Sequence, residues 1–522
     1  KRPLAPWLLR DLAGATRVDI AVAFVWLGGV ERIMPYLEDC LARGGRVRIV
    51  TGDYCDTSDP AALRLLLDLR QVDAERTELR MFETARSGTS FHPKAYLVSS
   101  PEPGKAPVVY VGSSNLSRAA LSEGHEWNLR VVEPSGVARA TAAFDALFVH
   151  PATCELDDAW IDRYARRRSV LETTRAPMHA DVDPEPPTAP PTPHEIQEEA
   201  LAALSATREA GNRAGLVVLA TGLGKTWLSA FDSEPFGRVL FVAHREEILR
   251  QALATYRAIR PGDRLGLFTG KSKDAHARVL FASIQTLARP ENLERFRPGA
   301  FDYIVIDEFH HADAQTYRRI IRHFEPAFLL GLTATPERTD GGDLLALCDE
   351  NLVYRCDLGE GIRRDRLAPF HYFGVPDLVD YANIPWRSRR FDEAALTEAV
   401  ETTARAQNAL DQWHQHGRGR TLAFCVSQRH ADFMRRFFAD AGLRVAAVHA
   451  GPTSDSRSEA LERLEGGELD VLFAVDMFNE GLDVRSIETV LMLRPTESKI
   501  LWLQQIGRGL RKAEGKDHLR II

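Results

Sequence analysis

Three clusters of residues in this 522-residue chain could do phosphate chemistry. In "SFHPKAYLVSS" (90–100), His92 and Lys94 stand two apart within an apolar run. Strand side chains alternate faces, so the imidazole and ammonium would project together and could grip a phosphate. Taken alone, the pair reads first as a surface couple on an edge strand, because short motifs match by chance. The second cluster is "ATGLGKT" (220–226) with "YIVIDEFHH" (303–311). Gly222 and Gly224 would let the backbone wrap phosphates, Lys225 would reach the terminal phosphates, and the Thr226 hydroxyl would ligate Mg²⁺. A complete phosphate-loop pattern would have glycine at 219, where Leu219 stands. Asp307 and Glu308 follow four apolar residues, at a strand's C-terminal edge where open α/β sheets bind ligands. Asp307 would hold Mg²⁺ through water, and Glu308 would polarise the attacking water. The third cluster is "QQIGRGLR" (504–511). Arg508 and Arg511 lie three apart, so a helix would place both on one face, aimed at a γ-phosphate. Alone, that stretch reads as a solvated arginine-rich helix.

The rest of the chain must supply the elements that hold these groups. At 522 residues, with 44% hydrophobic and 27% charged, it is too long for one core and has the composition of a globular protein. Net charge is −7, so no global basic field announces nucleic acid, although a local basic groove would suffice. Arginine greatly outnumbers lysine, which suits phosphate forks. Six scattered cysteines without a C-x-x-C pair argue against a disulfide framework or structural zinc, and fit a reducing cytoplasm. No apolar run approaches the ~20 residues of a membrane span, so no membrane partner is expected. The start at Lys1 and the stop at "LRII", which reads as a strand in progress, suggest a portion of a longer protein.

The clearest boundary is "DVDPEPPTAPPTPHE" (181–195), whose prolines block helix and central strand and read as an extended linker. After it, "GLVVLATG", "RVLFVAH", "RVLFASIQ", "YIVIDE" and "FLLGLTAT" alternate with helix-compatible sequence. A second series follows: "RTLAFCV", "RVAAVHA", "VLFAVD" and "TVLMLRP". Continuous apolar strands of this kind mark parallel sheets covered on both faces. The expected fold class is α/β throughout. An N-terminal domain covers 1–175, a linker 176–193, and two tandem parallel-sheet domains 194–358 and 359–522.

These motifs, in this order over 194–511, resemble superfamily 2 helicases of the DExH type, whose two lobes are RecA-like. Gln197 resembles the adenine-reading glutamine. "ATGLGKT", with Thr221, resembles motif I, including that family's loss of the first glycine. "VAHREEI" and "ASIQTL" resemble the strand-tracking motifs, "DEFH" motif II, and "TAT", with Thr333 and Thr335, the coupling motif III. "FCVSQRHA", "VDMFNEGLDV" and "QQIGRGLR" resemble motifs IV, V and VI. The resemblance implies ATP and Mg²⁺ as cofactors and arginine-finger roles for Arg508 and Arg511. It also implies that Gln504 positions water or phosphate, and that Gly481 and Asp483 couple nucleotide to strand. Arg245 and the amides and hydroxyls of "ASIQTL" and "TAT" would meet nucleic-acid phosphates. "WRSRRF" (386–391) could stack or contact phosphate, but reads first as a solvated linker face.

"HPK", then "GSSN" (112–115), then Glu126, resembles the phospholipase D superfamily, in its single-copy bacterial nuclease branch. The resemblance implies that His92 is the nucleophile and that Lys94, Ser113 and Asn115 bind the phosphoryl oxygens. Glu126 would orient the imidazole, and no metal would be needed. Ser99 stands where that family has an aspartate. The chain holds one such motif where the chemistry wants two histidines, which implies a homodimer with a shared site. The expectation is therefore a cytoplasmic helicase or translocase joined to a metal-independent nuclease, acting on nucleic acid with DNA favoured, in bacterial DNA processing or defence. Two alternatives stay open: a translocase whose nuclease domain serves binding or dimerisation, and an ATP-gated nucleic-acid sensor.

Overall fold

Apolar runs without polar alternation are satisfied where both faces of a sheet are covered, and the second half of the chain folds in this way. The computed structural model describes the chain except residues 1–2, 54–55, 101–104, 175–190, 271, 310–314, 335–345, 378, 388–389, 476–486, 496–498 and 514. Side chains are also left undescribed at 170–174, 315, 346, 386–387, 390, 499–501, 504 and 508. The chain divides into two units, Lys1–Pro190 and Pro191–Ile522. Among the described residues, no helix is long and apolar enough to cross a membrane.

The first unit is built on a mixed seven-stranded sheet. From one edge its order is Asn128–Val131, Val108–Gly112, Lys94–Ser99, Arg17–Val22, Arg46–Gly52, Thr77–Phe82 and Thr153–Glu155. Alternation along each strand sorts the side chains to two cores. Val18, Ile20 and Val22 pack with helices Leu27–Ala42 and Pro60–Asp68, whereas Ala21, Val50 and Val109 pack against helix Pro134–Phe148. On that second face Asp19 is buried, and Arg48 meets it through two hydrogen bonds of 2.7 and 2.9 Å while also reaching Asp145 at 2.8 Å. A buried carboxylate is tolerated only when paired in this way.

The second unit carries two parallel sheets. The first runs Leu265–Phe268, Val279–Ser283, Val239–Ala243, Tyr303–Ile306, Phe328–Thr333, Ala214–Leu219, Leu352–Cys356. The second runs Phe370–Tyr372, Leu519–Ile521, Thr489–Met492, Thr421–Phe424, Val471–Ala474, Val445–Val448. Every quoted apolar run after the linker contains one of these strands. Leu265–Phe268, Leu352–Cys356 and Phe370–Tyr372 carry no such signal, being short strands at or near sheet edges.

Two expectations are corrected. His92 does not lie in the strand with Lys94, because the ladder begins at Lys94. Pro93 has no N–H to give a ladder, so pairing starts after it. Arg511 does not share a helical face with Arg508, since their helix spans Lys499–Gly509. A Cβ on Gly509 would sit 2.5 Å from Leu519 Cδ1, so the last helical residue packs on the sheet as glycine. Arg511 instead bridges Leu367, and Ala368 donates to the Leu510 carbonyl at 2.7 Å.

Candidate functional site

In the first unit, neighbouring strand ends bring the expected groups together. Val22 pairs with Lys94, Ala95 with Val111, and Gly112 with Asn128, which aligns the starts and ends of these strands. Gly112 is required here, since a Cβ would lie 2.0 Å from the Trp127 carbonyl. Lys94 Nζ lies 2.8 Å from His92 Nδ1 and 3.2 Å from Nε2. An ammonium has only donors, so the imidazole accepts in its neutral form. Partial desolvation and then the Lys94 charge hold His92 below the ordinary imidazole range. Lys94 is itself lowered by burial, against the opposing pull of Glu126. Glu126 accepts from Ser113 Oγ, which also receives the Trp127 N–H at 2.9 Å. Asn115 is buried, and its Oδ1 accepts from Ala23 N–H at 3.1 Å, which turns its amide nitrogen away from that backbone. Ser99 ends the strand that Lys94 begins, opposite Arg17. The replaced acid thus lies five residues along, at the other end of the strand from Lys94.

In the second unit the buried strand Ala214–Leu219 delivers the loop to helix Lys225–Asp232. Gly222 and Gly224 take φ of 97° and 76°, a region that favours glycine. Gln197 is buried beneath the loop and donates from Nε2 to the Gly224 carbonyl at 3.1 Å. A reciprocal cap ties Gln197 to His194, whose Nε2 lies 3.3 Å from the Leu223 carbonyl. Lys225 Nζ rests 3.4 Å from the Leu219 carbonyl. Asp307 and Glu308 are buried just beyond strand Tyr303–Ile306, and Glu308 holds a φ of 51°. Non-glycine residues adopt such backbone uncommonly, and Asp56, Asp349, Glu350 and Asp365 share it. Thr333 is fully buried at the end of the adjoining strand.

The second sheet's helix reaches this loop. A Cβ on Gly507 would lie 2.5 Å from Thr221 Cβ, and one on Gly222 would lie 3.0 Å from Leu367 and 3.4 Å from the Gly507 carbonyl. Arg511 is lowered by burial. The backbone of Gln504 and Arg508 belongs to the same helix. Thr335, Gly481 and Asp483 lie outside the described residues, as do 388–389 of "WRSRRF" and residues 181–190 of the linker, while Trp386–Arg387 and Arg390–Phe391 pair as two short antiparallel strands. The two stretches that resemble strand-tracking motifs are joined, because Gln285 Nε2 donates to the His244 carbonyl at 2.8 Å. Arg245 stands exposed at the start of helix Glu246–Ile259.

Three family models match. Residues 8–148 match the PLD-like domain of the cardiolipin synthase model, 191–338 the res subunit of type III restriction enzymes, and 403–513 the helicase conserved C-terminal domain. The chain joins a phospholipase D-like domain to two helicase domains. A protein named as an ATP-dependent helicase, IRC3 of Saccharomyces cerevisiae, is 30% identical over 64% of this chain and 51% of its own. The EcoAI endonuclease subunit of a type I restriction enzyme from Escherichia coli is 26% identical over 60% of this chain and 43% of its own. Among solved structures, a fragment named as an HsdR subunit of a type I restriction enzyme from Vibrio vulnificus aligns over 84% of this chain and 76% of its own. Its identity is 22% and its TM-score 0.47. The chain spans about half the length of the curated relatives it matches.

Several residues that shape the helicase and phospholipase D-like sites carried no motif signal. His194 precedes Gln197 as an N-cap, a position that its Glu-rich first turn could have marked. Lys516 is buried beneath the arginine segment, donating to the Gly509 carbonyl and to the Arg511 carbonyl at 3.0 Å, and burial lowers it to about 8. Leu367 and Trp127 become visible only once strands and lobes are assembled.

Proposed function

We propose that the chain is an ATP-dependent helicase or translocase coupled to a metal-independent phospholipase D-type nuclease. DNA is the favoured substrate, and processing or defence against foreign DNA the favoured setting, in keeping with relatives named as restriction subunits. The observation that carries the motor is the approach of the second lobe's helix to the phosphate loop, Gly507 against Thr221, with Asp307 and Glu308 just beyond a strand two places along the same sheet.

The residues present fit ATP and Mg²⁺. Two positive-φ glycines open the loop, and Lys225 begins a helix whose N-terminus favours anions. Thr226 and Asp307 would hold the metal, which when bound neutralises phosphate charge. Glu308 would accept the proton of the attacking water, and Arg508 and Arg511 would stabilise charge on the transferring phosphoryl group. In the nuclease, neutral His92 would attack phosphorus and form a P–N bond as the P–O bond to the leaving strand breaks. Lys94, Ser113 and Asn115 would take the phosphoryl oxygens. A second histidine, from His92 of another copy, would protonate the leaving oxygen, and water would then release the phosphohistidine. The proposed assembly is a homodimer.

Labelled single- and double-stranded DNA and RNA, each with Mg²⁺ and ATP, test this reading. ATP turnover should rise with the strand the motor tracks, and that strand should be cut. Turnover unmoved by every nucleic acid would exclude the motor. Mixing His92→Ala chains with wild type should depress cutting below the wild-type fraction, and a linear dependence would exclude a shared site.

A further inference from the structure

Strand Asn128–Val131 forms one edge of the first unit's sheet, and the residue before it is the most exposed of the large hydrophobic side chains there. Trp127 is 89% exposed. Its position is fixed by its neighbour across the ladder: Ser113 N–H donates to the Trp127 carbonyl at 3.0 Å, and Trp127 N–H to Ser113 Oγ at 2.9 Å. Residues directly opposite in an antiparallel pair share a face, with Cβ atoms about 4.5–5.5 Å apart. Continued by one step, the register sets Trp127 opposite Ser113, whose hydroxyl is read as a ligand of the scissile phosphate. Leu129 and Val111, a cross-strand pair on the same face, continue the surface at 67% and 45% exposure. Two residues further along, helix Pro134–Phe148 covers Val109 and packs against Val131, but it leaves the three side chains at the site's rim uncovered.

We propose that Trp127 is a stacking platform for an unpaired nucleobase flanking the scissile phosphate, with Leu129 and Val111 extending the apolar floor. This rests on the reading of Ser113 as a phosphate ligand. Three side chains are small beside the ~800 Å² per partner that a stable protein interface buries, whereas one base needs only a flat ring. Stacking on an aromatic side chain contributes about 1–3 kcal/mol per base and tolerates any sequence. The chemistry recognised is thus a single-stranded or locally unpaired polynucleotide at the cut site, the form a strand-separating motor would deliver.

The test uses the full chain. A single-stranded DNA series bearing 5-iodouracil at successive positions is irradiated on the His92→Ala chain, and adducts are mapped by mass spectrometry. An adduct on Trp127 is expected whichever position carries the iodouracil, because stacking does not select sequence. On the active chain, Trp127→Ala should raise KM for single-stranded DNA roughly tenfold with kcat little changed. Trp127→Phe should recover most of it, and a strand made abasic beside the cut should be insensitive to the substitution. Adducts that skip Trp127, or equal losses on intact and abasic strands, would overturn the proposal. A fall from dimer to monomer mass in Trp127→Ala would also overturn it, by assigning the face to a second copy. If the wild type cuts nothing while Trp127 still forms the adduct, the stacking platform stands and the nuclease reading fails.

Discussion

The two phosphate sites proposed for the chain are made of different material. In the helicase domains the cradle is backbone: two glycines with φ of 97° and 76°, a helix start at Lys225, and Gln197 and His194 bracing the loop from below. In the phospholipase D-like domain the cradle is side chains, with His92, Lys94, Ser113 and Glu126 set at the ends of neighbouring strands. A backbone cradle depends on what has no Cβ, and it leaves charge neutralisation to Lys225, a metal and the opposite lobe. A side-chain cradle carries its charges itself and depends on their mutual tuning, as Lys94 depresses His92. The comparison teaches where each site is vulnerable: the first to added atoms and lost closure, the second to lost charge.

The sharpest break on the motor side is Glu308→Gln. ATP binding should persist while turnover falls to background, read by nucleotide binding and phosphate release; turnover at the wild-type rate would remove Glu308 from the base position. Next, Arg511→Ala should lower kcat by roughly 10³-fold with little change in KM, because a finger acts on developing charge. A rise in KM alone would make it a ground-state binder. Third, Gly507→Ala should lower kcat by about 10²-fold, since a Cβ would stand 2.5 Å from Thr221 Cβ and hold the lobe off the loop. Unchanged kcat would show that this approach is not used in turnover. The smallest effect belongs to the phospholipase D-like domain. With Lys94→Met, one of two causes depressing His92 is lost, so its NMR titration midpoint should move up towards the ordinary imidazole value. The protonated, non-nucleophilic form then persists to higher pH. A midpoint that stays or falls would contradict the tuning.

The fold was legible wherever burial is two-sided. Runs such as "YIVIDE" suggest a parallel strand with carboxylates at its end, because a doubly covered strand accepts unbroken apolar sequence. The glycine loop was legible for a similar reason, since its spacing leaves few backbone solutions. What escaped depends on neighbours distant in sequence. Arg511 lies beyond the helix that holds Arg508 and bridges Leu367, a residue far back in the chain. His92 leaves its strand for a reason the sequence did contain, the proline between it and Lys94. Trp127 looks like any strand-flanking aromatic until the ladder puts it opposite Ser113. Lys516 is an unremarkable lysine until the chain folds it under the carbonyls of Gly509 and Arg511.

The central claim is that one chain holds a side-chain phosphate site that needs no metal and a backbone phosphate site that does. The most direct measurement follows both activities while Mg²⁺ is titrated out with EDTA, in wild type and in His92→Ala. Strand cutting should continue in excess EDTA in the wild type and vanish in His92→Ala, while ATP turnover should stop in EDTA for both and run in Mg²⁺ for both. Cutting that disappears with the metal, or that survives His92→Ala, would contradict the account.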